Sequence, residues 1–224
     1  TDEVKPYINE ATYAGIQMTR GGFVLQSERN GYAQIYLYDL DGNLVRPLTE
    51  GTNPVVSFYG YDEKNGKCYY AAKDGSPLRT AVFSSDAQGR VVKLTPREGN
   101  NSAVFSSDYK YFVNVWSDTN TPPVYTLCDA KTGKVKKTLE DNAELKEKVA
   151  KAAPYKREFF TMTTSEGVEL NGWMVRPDDD DSNPHPVVMF QYSGPGSQQV
   201  EDKWYSGNMG GCLFEQYLAQ EGFI

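Results

Sequence analysis

Histidine is all but missing: among 224 residues there is one, His185. Serine hydrolases and catalytic zinc sites each need at least one well-placed imidazole. This one stands in Asn183-Pro184-His185-Pro186, between prolines, and reads as a loop residue rather than a base. Cysteine is scarce, at Cys68, Cys128 and Cys212. None is spaced as a zinc site, and an odd number gives no disulfide framework. They read as small buried residues, although one pair could oxidise in an exported protein. No apolar run approaches the 18 residues of a membrane span. The first residues, Thr1 to Glu10, are polar and do not read as a signal peptide; an exported parent would carry its leader upstream. There is no Lys/Arg cluster, and the formal net charge is -7. That balance argues against nucleic acid as a partner.

Aromatic residues are plentiful, with 16 Tyr and 10 Phe, and they favour strands. They fall in short runs such as Gln34-Ile-Tyr-Leu-Tyr38 and Lys67-Cys-Tyr-Tyr70. Three segments share a pattern: Tyr38-Asp-Leu-Asp-Gly42 through Thr49, Ser85-Asp-Ala-Gln-Gly89 through Thr95, and Cys128-Asp-Ala-Lys-Thr-Gly133 through Leu139. Their glycines lie 47 and 44 residues apart, and each unit ends on a leucine near its last strand. Strand patterning predicts four short strands per unit: 15–18, 23–27, 34–38 and 43–48; 55–61, 67–73, 78–84 and 90–94; 102–106, 111–117, 124–129 and 134–139. Asp41-Gly42 and Asn65-Gly66 are hairpin signals because both residue types tolerate positive φ. Four strands at this period mark a β-propeller blade, with an all-β sandwich as the alternative. Three blades are fewer than the four to eight that close a ring, so the expectation is part of a propeller.

The pattern changes near residue 140. Asp141-Asn-Ala-Glu144 reads as a capping pair that opens a helix. Leu145 and Val149 share a face, Glu144/Lys148 and Glu147/Lys151 are i,i+4 pairs, and Pro154 stops the helix. Two alternating strands follow, 157–163 and 168–176, joined by Ser165-Glu166-Gly167. The acidic run Asp178–Asp181 lacks the spacing and closing Glu of a calcium loop and reads as a solvated turn. Pro186-Val-Val-Met-Phe-Gln-Tyr192 is a continuous apolar strand of the parallel-sheet kind. It runs into Ser193-Gly194-Pro195-Gly196-Ser197. Leu213, Phe214, Tyr217 and Leu218 then recur at helical spacing, with Gly222 placed to end the helix. Phe223-Ile224 reads as the start of another strand. This order is how an α/β domain begins.

The loop Ser193–Ser197 is not a phosphate loop, because Gln198 and Gln199 stand where Lys-Ser/Thr would be needed. It is not a dinucleotide fingerprint either, since the third glycine is out of register. A nucleophile elbow, Gly-x-Ser-x-Gly, occurs nowhere in the chain. The loop does follow the carboxyl end of a strand, where α/β domains place function. In hydrolases of that architecture the corresponding loop supplies oxyanion donors, which makes Tyr192 a candidate; a packed tyrosine is the alternative.

Several stretches together resemble the dipeptidyl peptidase IV branch of the prolyl oligopeptidase family. Gln191-Tyr-Ser-Gly-Pro-Gly-Ser-Gln198 is similar to that family's Tyr-Ala/Ser-Gly-Pro-x-Ser-Gln loop. Ser27-Glu-Arg-Asn-Gly-Tyr32 with Ile35-Tyr-Leu-Tyr38, Val124-Tyr-Thr-Leu127 with Leu139-Glu-Asp-Asn142, and Leu170-Asn-Gly-Trp-Met174 resemble its propeller segments and first hydrolase hairpin. The resemblance implies a serine exopeptidase that releases N-terminal dipeptides with proline or alanine second. Its eight-bladed propeller would cover an α/β-hydrolase domain.

By this resemblance Tyr192 matches the oxyanion-hole tyrosine, and Ser193, Gly194, Pro195, Gly196 and Ser197 border the substrate cleft. Gln199 stands where relatives often have a basic residue. The family's Ser, Asp and His would lie downstream of Ile224, and its amine-binding glutamates upstream. The resemblance therefore implies an internal fragment. Residues 1–140 would be the C-terminal blades, about three and four-stranded antiparallel; 141–154 a linker helix; and 155–224 the truncated N-terminal portion of the hydrolase. Such a fragment is expected to be inactive. The implied partners are peptide substrates and, for the parent, a second copy in a homodimer, with no cofactor and no metal. The implied location is exported, periplasmic or at the cell surface. A propeller-type binding module and a non-catalytic family homologue are the alternatives.

Overall fold

The computed structural model describes residues 15–178, 184–191, 197–204 and 212–224. Two compact units divide the chain. One is Thr1–Trp116 with Val124–Glu140, and the other is Ser117–Pro123 with Asp141–Ile224.

The first unit is built from three sets of antiparallel strands. The first set is β1 (Ile16–Thr19), β2 (Gly22–Ser27), β3 (Gln34–Asp39) and β4 (Leu44–Pro47), in consecutive order. The second is β5 (Val55–Asp62), β6 (Lys67–Lys73), β7 (Thr80–Ser85) and β8 (Val91–Lys93). The third is β9 (Asn100–Phe105), β10 (Tyr111–Asp118), β11 (Thr121–Asp129) and β12 (Val135–Glu140). A parallel bridge between Thr80 and Asn100 links the second set to the third. All twelve expected strands are present. Three strand starts move by two residues or more: β7 starts at Thr80 because 76–79 form a turn, β9 starts at Asn100, and β11 starts at Thr121, so that Pro122 and Pro123 lie beyond the stretch that pairs with β12.

Strand alternation explains where the cores lie. In β6, Cys68, Tyr70 and Ala72 point one way, into a cluster with Val24, Ile35, Leu48, Val55 and Tyr61. Tyr69 points the other way, into a cluster with Val82, Leu94, Ala103, Phe112, Cys128 and Ala130. Each core therefore sits between successive blades, and the middle strand of the middle blade is buried on both faces.

A leucine–threonine pair closes two of the blades. Thr49 Oγ1 accepts the Ile35 backbone N–H at 2.9 Å, and Thr95 Oγ1 accepts that of Val82 at 2.9 Å. The leucines before them, Leu48 and Leu94, are 5% and 1% exposed. The third unit breaks the pattern: Leu139 is 48% exposed, Glu140 replaces the threonine, and every residue of β12 faces solvent. Successive inner strands are also latched across one repeat. The Gln17 amide exchanges two hydrogen bonds with the Tyr61 backbone, at 2.8 and 2.7 Å, and the Ala103 N–H donates to Tyr59 Oη at 3.0 Å.

The outer turns are organised by an aspartate rather than by the Asp41-Gly42 pair alone. Asp39 Oδ1 accepts the Asn43 N–H at 2.8 Å, while Gly42, at φ 83, closes the turn onto the Asp39 carbonyl. Asp86 and Asp129 do the same work in the next two units, accepting from Arg90 and Thr132.

The second unit holds α1 (Ala143–Ala152), β13 (Glu158–Thr163), β14 (Glu169–Met174) and α2 (Cys212–Gln220). The expected capping pair is not what opens α1. Asn142 is the cap residue, in the left-handed region at φ 51, and its amide donates to the Pro123 carbonyl instead of to the helix. Asp141 accepts the Ala143 N–H. The Glu144–Lys148 pair forms at 2.6 Å, and α1 buries no side chain. β13 and β14 make a regular hairpin from Glu158↔Met174 to Thr163↔Glu169.

The apolar segment from Pro186 is not a buried strand. Val187, Val188, Met189 and Phe190 are 66%, 44%, 78% and 41% exposed. Among the described residues, only Ile224 bonds along its backbone: Ile224 N–H donates to Pro186 O at 2.9 Å and Val188 N–H to Ile224 O at 2.8 Å. Those two bonds are one rung of a parallel ladder. A single neighbour cannot cover two faces, which is why the segment stays solvated.

Candidate functional site

The second unit is organised around Arg157, whose side chain is 5% exposed. Its backbone is clasped by Asn120: the Arg157 N–H donates to Asn120 Oδ1 at 3.2 Å, and Asn120 Nδ2 donates to the Arg157 carbonyl at 3.4 Å. Its guanidinium pairs with Glu215, near the start of α2, and lies 4.1 Å from the centroid of the Trp173 ring. A buried guanidinium needs both a counter-charge and a flat surface; Glu215 and Trp173 supply them. One residue along α2, Gln216 grips the Tyr155 backbone through both ends of its amide, at 2.9 and 2.6 Å.

This corrects the expected face of α2. Leu213, Phe214 and Tyr217 are 56%, 39% and 57% exposed, whereas Gln216 and Ala219 are buried. Polar satisfaction of a bent backbone, not apolar burial, decides which side faces inward. The helix ends as the sequence indicates. Gly222, at φ 84, donates to the Ala219 carbonyl, and Phe223 donates to that of Leu218, which is a Schellman closure.

From this centre two sets of bonds reach the candidate loop. Downstream of it, Trp173 Nε1 donates to the Gln199 carbonyl at 3.4 Å, and Gln199 Nε2 donates to Ser197 Oγ at 3.0 Å. Asp202 accepts the Thr119 N–H at 3.0 Å, and the Trp204 N–H donates to Ser117 Oγ at 3.3 Å. Upstream, the closure of α2 places Gly222–Ile224 beside 185–188. His185 Nδ1 lies 3.0 Å from the Gly222 carbonyl. A carbonyl only accepts, so the imidazole donates from Nδ1. His185 is thus a partly buried tether for the helix end, not a bare loop residue.

Of the candidate site residues, Tyr192, Ser193, Gly194, Pro195 and Gly196 lie outside the described residues, as do Asp179–Asp181 of the acidic run. Ser197 is described: it is half-buried and accepts from Gln199. Arg157, Trp173, Glu215 and Asn120 are the residues that sequence reasoning missed. They lie up to 95 positions apart, and Lys156-Arg157-Glu158 reads as an ordinary surface charge run. A cavity of about 220 Å³ opens beside them, lined in part by Asn120, Trp204 and Gln216. Cys68 and Cys128 are buried free thiols, and burial pushes both above the ordinary thiol range. Among the described residues no group of three His, Cys, Asp or Glu side chains could hold a metal ion, and no helix is long and apolar enough to cross a membrane.

The profile of the Dipeptidyl peptidase IV (DPP IV) N-terminal region matches residues 1–123, more than half of the chain. The chain belongs to the dipeptidyl peptidase IV family. Curated relatives agree: it is 30% identical over 205 residues to dipeptidyl peptidase 4 of Trichophyton rubrum, covering 87% of this chain and 26% of that protein. To dipeptidyl peptidase 4 of Arthroderma otae it is 28% identical over 201 residues, covering 86% and 25%. The solved structure of Porphyromonas gingivalis dipeptidyl peptidase 4 is similar at 40% identity and a TM-score of 0.89, over 98% of this chain and 31% of that one. A Bacteroides ovatus structure, at 21% identity and a TM-score of 0.76, shares the fold. The chain thus spans about a quarter to a third of the dipeptidyl peptidase IV relatives it matches. The three antiparallel blades fit the propeller region of that family.

Proposed function

We propose that this chain is part of a serine-type dipeptidyl peptidase. That enzyme releases Xaa-Pro or Xaa-Ala dipeptides from the N-termini of peptides. The reading rests on the likeness to the Porphyromonas gingivalis enzyme, 40% identical over nearly the whole chain. Residues 155–224 open an α/β-hydrolase domain in this reading. The parallel rung at Ile224 supports it, because crossover helices such as α2 join parallel strands. Tyr192 donates its phenol to the oxyanion that develops at the scissile carbonyl, and Ser193, Gly194, Pro195, Gly196 and Ser197 border the cleft. The nucleophile, its base and their aspartate come from elsewhere in the longer protein, which acts as an exported homodimer.

Chromogenic Xaa-Pro substrates test the proposal. The 224-residue chain is expected to be inert, and the longer gene product active. In the active enzyme Tyr192→Phe is expected to lower kcat by about 10²-fold with little change in KM. Turnover by the purified chain itself would refute the division of labour, and a loss confined to KM would refute the oxyanion role. An inert longer product with its own Gly-x-Ser-x-Gly missing would favour the non-catalytic homologue.

A further inference from the structure

We propose that Arg157 is a positioning residue that holds the chain on both sides of Tyr192, at Ser197–Gln199 and at His185–Val188, with Trp173 and Glu215 as its two separate arms. The inference deepens the reading of Tyr192 as an oxyanion donor and rests on that reading for its catalytic consequence.

The geometry carries it. The downstream arm runs from the guanidinium to the Trp173 ring, 4.1 Å away, and from Trp173 Nε1 to the Gln199 carbonyl. Gln199 in turn holds Ser197, the last residue of the candidate loop. The upstream arm runs from the guanidinium to Glu215 on α2. The far end of that helix closes on Gly222, whose carbonyl takes His185, and delivers Ile224 to the rung with Pro186 and Val188. Both arms meet in one planar group, whose backbone is fixed independently by Asn120. Arginine suits this place because its plane stacks on an indole while its edge pairs with a carboxylate; lysine offers a point charge and no plane. A donor placed off target by about 1 Å can cost on the order of 10²-fold in rate, so anchoring of this kind has catalytic weight.

The arms can be cut one at a time. Trp173→Phe keeps an aromatic face but removes the indole N–H. Glu215→Gln removes the counter-charge and leaves the stack. Amide resonances and hydrogen exchange of the 224-residue chain are the first readout. Trp173→Phe is expected to shift the resonances of 197–199 and leave exchange at Val188 and Ile224, whose N–H groups are bonded, unchanged. Glu215→Gln is expected to raise exchange at Val188 and Ile224 at least tenfold and leave the 197–199 resonances in place. A uniform change across both flanks and the β13–β14 hairpin in either variant would overturn the proposal, because it would show general loosening. No change at either flank would overturn it too. In the longer peptidase each variant is expected to lower kcat about 10- to 100-fold with KM held within twofold. Selective exchange with unchanged kcat would uphold the anchoring and refute the oxyanion role of Tyr192, so the two ideas fail separately.

Discussion

At the scale of single residues, two glycines with the same backbone conformation make opposite demands. Gly133 has φ 72, and a Cβ there would sit 2.1 Å from the Leu94 carbonyl oxygen. Gly89 has φ 76 with open space around it. Gly89→Ala is expected to cost about 1 kcal/mol of left-handed strain. Gly133→Ala adds a clash with backbone that has to move, and is expected to cost at least ~2 kcal/mol more. Thermal melts of the two variants check this, with a difference of several degrees expected. A second residue-scale prediction concerns acid. The Lys110 side chain, then the Ser106 hydroxyl, hold the Asp108 carboxyl down to about 2 from 3.8. A depressed acid stabilises the folded turn in full above its unfolded value and loses that contribution as pH falls through the folded one. Protection of the Tyr111 N–H, which donates to Ser106 Oγ, is therefore expected to fade between about pH 4 and 2. Asp108→Asn is expected to abolish that dependence. Glycines that need positive φ were legible in the sequence from their spacing. The aspartate that accepts at each outer turn was not singled out, because Asp39 and Asp41 flank the same turn and only geometry separates them.

Among the elements, the leucine–threonine closures offer a direct comparison. Thr49→Val or Thr95→Val keeps the shape and leaves a backbone N–H without its acceptor. Each is expected to cost about 1–3 kcal/mol, read as a shift in the denaturant midpoint at constant slope. Leu48→Ala and Leu94→Ala are expected to cost about 2–5 kcal/mol. Leu139→Ala, at 48% exposure, is expected to change little. The three terminal leucines looked equivalent in the sequence, since periodicity reports the position of a residue in its unit and not what covers it. α1 shows the same limit. Its length and its Pro154 stop were legible, but its start was not, because Asn142 spends its amide on Pro123, 19 positions away in the chain. Since α1 buries no side chain, trypsin is expected to cut first at Lys146, Lys148 or Lys151. Early cleavage within β5–β7 would contradict that picture.

On the scale of the whole molecule, the blade architecture was legible because it is written twelve times over in strand-length alternation, with turns between. The Arg157 centre was not, because it joins residues from the 117–123 tip, the β13–β14 hairpin and α2; alternation and helical spacing mark the last two as elements but not which of their polar side chains meet. The tyrosine content makes a further prediction. Burial, then Asp62 and then Tyr109, push the Tyr69 phenol up to about 12, and burial raises Tyr59 and Tyr70 as well. A group whose folded value is raised contributes in full below its unfolded value, near 10, and loses that contribution as pH climbs through the folded one. Stability is expected to fall from about pH 10 to 12, and Tyr69→Phe to flatten part of the slope; chemical denaturation across that range would show it. Finally, the latches Gln17–Tyr61 and Tyr59–Ala103 each span 44 positions, while the turn glycines of the first two units are 47 apart. The extra length falls partly in turns: two residues, 20–21, join β1 to β2, and four, 63–66, join β5 to β6. A duplicated ancestral unit would have been held to a fixed count at the latched strands and left free to drift outside them. Insertions among descendants should therefore gather in the connecting turns and spare the latched positions.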